Sequence, residues 1–163
     1  MSDEEPEFSH LDAGGRARMV DVGDKEETDR FALARGAVFV HASTLAALRE
    51  DRLTKGDALT IAQIAGIQAA KRAHEWIPLA HPLRLDHVAV DLHPDEESSS
   101  IAIQATVRAR GRTGVEMEAL TAVSAAALTL YDMLKSADRS LVIGEICLWE
   151  KRGGRSGEWR RRP

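Results

Sequence analysis

Two long stretches without a single charge constrain this chain more than any other feature in it. Residues 58–70 and 119–131 each run thirteen positions with no Asp, Glu, Lys or Arg, and both are dominated by alanine. Gly66, Thr121, Ser124 and Thr129 are interspersed. A helix that covers one face of a sheet carries a charged outer stripe. These segments have none, so each must be buried on more than one side. The cover is either a second subunit or a tight contact between the two helices of one chain. A chain of 163 residues makes one domain with a real core, and in a domain so small a second subunit is the expected cover.

The elements around these helices follow from local pattern. AVFVHA at 37–42 is rich in β-formers and is predicted to be a first strand. Ser43 then caps a short helix to about residue 50, and Asp57 caps a longer one to about Trp76, where Pro78 stops it. Residues 85–92 read as a second strand with Val88, Val90 and Leu92 on one face, followed by a hairpin loop of Pro94 and the DEESSS stretch. The third strand alternates Ile101, Ile103, Ala105 and Val107 against Ala102, Gln104, Thr106 and Arg108. A helix over 114–137 and a strand over 140–150 complete the set. The order strand, helix, strand, strand, helix, strand predicts an α+β domain, a ferredoxin-like antiparallel sheet with helices packed on one face. That domain spans 13–151, between an acidic N-terminus at 1–12 and a Gly-rich basic loop and tail at 152–163. Both ends lack apolar periodicity and are expected to be mobile.

Composition narrows the functional classes. The single Cys147 rules out an internal disulfide and points to a cytosolic thiol. No basic start with an apolar run follows Met1, so no signal peptide is expected. The uncharged stretches fall short of the ~20 residues that cross a bilayer, so no membrane span is expected either. His74, His81, His87 and His93 form no i, i+4 pair and have no Cys at ligand spacing, so no metal site is predicted. Cys147 lies in the last strand with no cation beside it in sequence, which suits a core residue better than a nucleophile. The net charge is −4, so anion binding must rest on cations gathered locally.

Four places can carry chemistry. Asp132 and Lys135 close the uncharged run at spacing i, i+3, as a surface ion pair or as an acid/base beside an ammonium. In IPLAHPL at 77–83, the prolines hold His81 in a stiff extended turn, either for function or merely to bond a neighbouring carbonyl. In TGVEMEAL at 113–120, Thr113 and Glu116 fit a capping box, whereas Glu118 has no comparable structural duty. The helix start there suits a phosphate or carbonyl oxygen. Lys55, Lys71, Arg112 and Lys151 are the remaining cations: Lys71 is explained by an ion pair with Glu75, Lys55 is free to enter a pocket, and Lys151 opens KRGGRSG. That glycine-rich loop is no Walker motif and either orders around an anion or is a solvated tail.

GDALTIAQIAGIQAAKRAHEWIPLAHPL at 56–83 and RTGVEMEALTAVSAAALTLYDMLKSAD at 112–138 resemble the cyclic pyranopterin monophosphate synthases, the family of molybdenum cofactor biosynthesis protein C. MVDV at 19–22, LVIG at 141–144 and the Lys-x-Gly-Gly-x-Ser-Gly pattern at 151–157 extend the likeness over roughly 10–157. The resemblance implies a cytoplasmic enzyme converting 3′,8-cyclo-7,8-dihydroguanosine 5′-triphosphate to the cyclic pyranopterin monophosphate and diphosphate. It implies Asp132 as catalytic acid/base with Lys135 as its partner, and places Lys55, Lys71 and Lys151 among the family's active-site lysines. Leu79, Ala80 and His81 fall on one substrate-binding segment and Met117 and Glu118 on another, with Arg112 and Glu116 beside them. A hexamer built as a trimer of dimers is implied, with sites between subunits. No redox cofactor is needed, although magnesium can accompany the triphosphate. Two positions depart: Ala80 stands where the family often has Cys, and Arg112 where Lys is common, which keeps the charge but removes proton transfer. The likeness ends before residue 158, so 158–163 are expected to be dispensable for activity.

Two rivals share the strand order: an RNA-binding module and a domain that senses a nucleotide without turning it over. The first needs stacking aromatics on its third strand, and IAIQATVRAR has none. The second has no use for Asp132 and His81 together with several lysines.

Overall fold

The computed structural model describes residues 10–12, 14–50 and 57–162. Lys55 and the acidic start through residue 9 lie outside the described residues. The elements run β1 (Thr28–Phe39), α1 (Ala42–Arg49), α2 (Ala58–Ala70), α3 (Ala73–Trp76), β2 (His87–Asp95), β3 (Ser100–Gly111), α4 (Glu116–Leu134), β4 (Val142–Arg152) and β5 (Trp159–Arg160). All strand pairs are antiparallel, in the order β2-β3-β1-β4-β5. The first four strands thus have the ferredoxin-like order, and the sequence expectation of that fold holds.

The core lies where α4 crosses the sheet. Ala32, Ala34 and Val38 of β1 and Ile101, Ile103, Ala105 and Val107 of β3 face Val123, Ala126 and Leu130 of α4, all fully buried or nearly so. Small side chains in α2 and α4 let the helices approach closely. A Cβ placed on Gly66 would lie 2.9 Å from the Ala122 carbonyl oxygen and 3.1 Å from Val90. The helix–helix contact therefore exists within one chain, yet Ile61 and Ile64 on α2 and Leu128 on α4 stay 42%, 55% and 55% exposed. By length and composition α4 could cross a bilayer, but most of it is buried in the domain core.

Several local expectations are corrected. The first strand begins at Thr28, nine residues before 37, because Ala32, Ala34 and Val38 form its buried alternation while Asp29 and Arg35 face solvent. His41 rather than Ser43 is the N-cap of α1, and no side chain caps it. Asp57 does cap α2, accepting from the Thr60 N–H at 3.0 Å, but the helix breaks at Lys71 and Arg72 before α3. Lys71 consequently makes no ion pair with Glu75 among the described residues. Pro94 sits within β2, not in the hairpin; an edge strand tolerates its missing donor. Trp159 and Arg160 form a strand where an unstructured basic tail was expected.

Two register shifts bend β4. Ala37 faces Gly144 but Arg35 faces Cys147; Ala34 faces Leu148 but Leu33 faces Glu150. Each extra residue flips the alternation of the strand beyond it. The two shifts together cancel, so Lys151, opposite the buried Ala32, lies on the same helix side as Ile143, whereas Glu150 and Arg152 take the opposite face. Cys147 is half-buried and pairs in register with Arg35, a cation that the linear sequence does not place beside it.

Candidate active site

At one end of the domain, β1 begins while β3 and β4 end, since Thr28 pairs with Gly111 and Phe31 with Arg152. The first turn of α4 starts there as well. Around this end lies a cleft of about 1000 Å³. Its walls come from His10, residues 20–26, the start of β1 at Thr28 and Arg30, the turn carrying Ile77, Leu79, Ala80 and His81, residues 112–118, and the loop from Lys151 to Ser156.

Each wall has a local cause. Ile77 ends α3, and the Ala80 N–H returns to its carbonyl at 3.0 Å, so the prolines and this turn together present His81 half-buried. The loop after β3 is pinned by Arg30, whose Nε donates to the Gly111 carbonyl and whose Nη2 donates to that of Arg112, each at 3.1 Å. Helix α4 then starts at Glu116 with Val115 as N-cap and no capping side chain. The expected Thr113–Glu116 capping box is not formed. Glu116 instead pairs at 3.1 Å with the Nζ of Lys151, which lies on the helix side of β4.

Charge is concentrated here. Lys25, Arg30, Arg112, Lys151, Arg152 and Arg155 line the cleft against four carboxylates, Asp24, Glu26, Glu116 and Glu118, in a chain of net charge −4. Glu118 is only 4% exposed. Burial, reinforced by the nearby Glu116, pushes its carboxyl up to about 7, so both protonation states are accessible near neutral pH. Thr28 Oγ1 in the same wall is buried and has no hydrogen-bond partner among the described residues.

The cleft unites most of the residues singled out from sequence: Leu79, Ala80, His81, Arg112, Glu116, Met117, Glu118 and Lys151. It does not include Lys71, which is exposed at the end of α2, nor Asp132 and Lys135. Those two sit at the far end of α4 as an ion pair at 2.5 Å, 62% and 53% exposed, and the pair raises the Lys135 pKa. Sequence reasoning missed Lys25, Arg30 and Thr28. For Arg30 and Thr28 the signal lies in β1: continuing its alternation backwards past Ala32 puts both on the helix side.

The MoaC family matches residues 19–154 of this chain. The cyclic pyranopterin monophosphate synthase of Chloroflexus aurantiacus is 56% identical over 161 residues, 99% of either chain. That of Thermomicrobium roseum is 57% identical over 155 residues, 95% of this chain and 93% of its own. That of Roseiflexus castenholzii is 59% identical over 152 residues, 93% of this chain and 96% of its own.

Proposed function

Because the chain belongs to the MoaC family, we infer that it carries out the cyclic pyranopterin monophosphate synthase reaction of molybdenum cofactor biosynthesis. It is an enzyme, a lyase acting on a small molecule. The substrate is 3′,8-cyclo-7,8-dihydroguanosine 5′-triphosphate; the products are the cyclic pyranopterin monophosphate and diphosphate. The observation that carries the assignment to a place is the cleft, where a concentration of cations adjoins a buried carboxyl near neutrality.

The chemistry divides between those two features. The bridged ribose–purine ring opens at a carbon bearing nitrogen and oxygen, and a proton donor makes the leaving atom neutral. Glu118, with its carboxyl raised to about 7, both donates to and accepts from the polar edge of the base. His81 lines the same cleft and is the second group there able to hold or relay a proton. In the last step a sugar hydroxyl attacks the α-phosphorus and diphosphate leaves. Lys151, Arg112 and Arg155 take up the charge that develops on the phosphate oxygens, and the uncapped start of α4 adds N–H donors. Lys55 and Lys71, which the resemblance places among the family's active-site lysines, supply further positive charge in this reading. No redox change occurs, so no redox cofactor is required; any magnesium arrives on the triphosphate.

Asp132 and Lys135 act as the acid/base pair of a cleft completed by another subunit. Glu118 and Asp132 are fourteen residues apart on one helix, a rise of ~21 Å, too far for one folded nucleotide to touch both. A hexamer arranged as a trimer of dimers brings the far end of one α4 to the cleft of a neighbour, and the exposed Ile61, Ile64 and Leu128 supply apolar surface for such contacts. The reaction is cytoplasmic in this reading.

Incubating the purified protein with the cyclic dihydro-GTP and measuring diphosphate tests the assignment directly. Asp132→Asn is expected to abolish release while keeping the melting temperature, since the isosteric amide exchanges no proton. Release at the wild-type rate would return Asp132 to a surface ion pair.

A further inference from the structure

Residues 153–156 wall the cleft, and the loop they form with Gly157 has no helix or strand of its own. Gly153, Gly154 and Gly157 take φ values of 98°, 73° and 64°, a region open to glycine at little cost. The loop rests directly on β1: a side chain at 153 would collide with the Asp29 carbonyl, and one at 154 with the Arg30 guanidinium. Such a loop is costly to hold in one shape unless both of its ends are tied.

Both ends are tied, and the second tie lies beyond the cleft. β5 folds back on β4, setting Lys151 opposite Trp159 and Glu150 opposite Arg160. The Arg161 N–H donates to the Trp149 carbonyl at 2.9 Å, and its Nε to the Leu148 carbonyl at 3.0 Å. On the face away from the helices, the Glu150 carboxylate, 10% exposed, receives Arg160 at 3.2 Å and the Arg152 guanidinium. Arg152 also stacks 4.7 Å from the Phe31 ring centre. Burial raises the Glu150 carboxyl, but the two guanidiniums outweigh it and hold the group below the usual carboxylate range. A buried carboxylate paired this way resists loss of either partner. None of residues 158–162 lines the cleft, whereas Lys151, Arg152, Arg155 and Ser156 do.

We propose that β5 and Glu150 form a clasp that orders the glycine-rich loop and thereby sets the cleft's affinity for the substrate's phosphates, without touching substrate. Glu150 and Arg160 are positioning residues, and residues 158–163 are not dispensable. This rests on the cleft being the triphosphate site.

The test compares the full chain with a deletion of 158–163, Glu150→Gln, Arg160→Met and Arg160→Lys. Two quantities are read well below each melting temperature: the Kd for inorganic triphosphate by calorimetry, and the kcat and KM for diphosphate release from the cyclic dihydro-GTP. The deletion, Glu150→Gln and Arg160→Met are expected to raise both Kd and KM about tenfold, with kcat held within about twofold. Arg160→Lys, which keeps the charge, recovers part of that affinity. Unchanged Kd and KM, or a fall in kcat at constant KM, overturns the clasp. A full chain that does not bind triphosphate overturns it as well. If the full chain binds triphosphate yet releases no diphosphate, the assigned reaction falls, and the Kd ratio alone still decides the clasp.

Discussion

Among the described residues, Glu118 is the one carboxylate in the cleft wall that is buried without a cation, and its consequences extend beyond catalysis. Glu116, two residues earlier, pairs with Lys151 at 3.1 Å, so the two carboxyls of one helical turn meet different environments. Protonated Glu118 suits its buried site and charged Glu118 does not. Its folded pKa of about 7 lies above the unfolded value of about 4.3. The stabilisation it contributes is therefore complete below about pH 4 and is lost as pH rises through 7. The difference amounts to roughly 3 kcal/mol. Glu118→Gln should remove this dependence: urea unfolding at pH 5 and pH 8 should show the variant losing less stability than wild type by that order. Parallel losses in the two proteins would mean that Glu118 ionises freely in the fold. The sequence singles Glu118 out as a carboxyl without a structural duty, and the structure buries it in the cleft wall, but the capping role read for Glu116 is not formed. A Thr-x-x-Glu spacing reads as a cap wherever the helix begins at its threonine, and here it begins three residues later.

At the level of elements, α2 and α4 are legible because their lack of charge is visible in any window, while what they pack against is not. Gly66 makes the point measurable. Helix propensity alone favours Gly66→Ala by about 1 kcal/mol. The added methyl, however, would press on the Ala122 carbonyl, which belongs to backbone and has nowhere to move. Gly66→Ala should therefore destabilise the domain by about 1–3 kcal/mol, read as a lower denaturant midpoint at unchanged slope; a higher midpoint would show that the helices can part. Strands differ in the same way. β3 is plain in the sequence because its five buried residues from Ile101 to Ala109 alternate without interruption. β1 is half hidden, because Asp29 and Arg35 dilute its outer positions while Thr28, Arg30 and small residues occupy most of its helix side. β4 is blurred by its two shifts: Ile143, Leu148 and Lys151 share a face at spacings of five and three, which no period-two pattern detects. Because the two shifts cancel, Lys151 keeps the face of Ile143 and stands opposite Ala32 rather than Arg30.

For the whole molecule, the antiparallel sheet separates two ends. One holds the cleft and the start of α4; the other holds α1, the Asp138 carboxylate that accepts the His41 N–H at 2.8 Å, and the exposed Asp132–Lys135 pair. Sequence proximity hides this separation, because one helix carries candidate residues at both of its ends. Fourteen residues also bring Glu118 and Asp132 to within ~40° of the same helical face, so both can serve clefts on one side of an assembly though not the same cleft. If each working site takes Glu118 from one chain and Asp132 from the next, two inactive variants can repair one another. Asp132→Ala co-expressed with Glu118→Ala should give mixed oligomers in which some sites combine an intact Glu118 with an intact Asp132. A random one-to-one mixture leaves about a quarter of such sites whole, by the symmetry of shared interfaces. Partial diphosphate release from the mixture, with neither variant active alone, is the expected result. The mixture must be purified on two different tags, so that every oligomer assayed contains both chains. No recovery in those oligomers would place both residues in the service of a single chain, which a ~21 Å separation makes hard to reconcile with one nucleotide substrate.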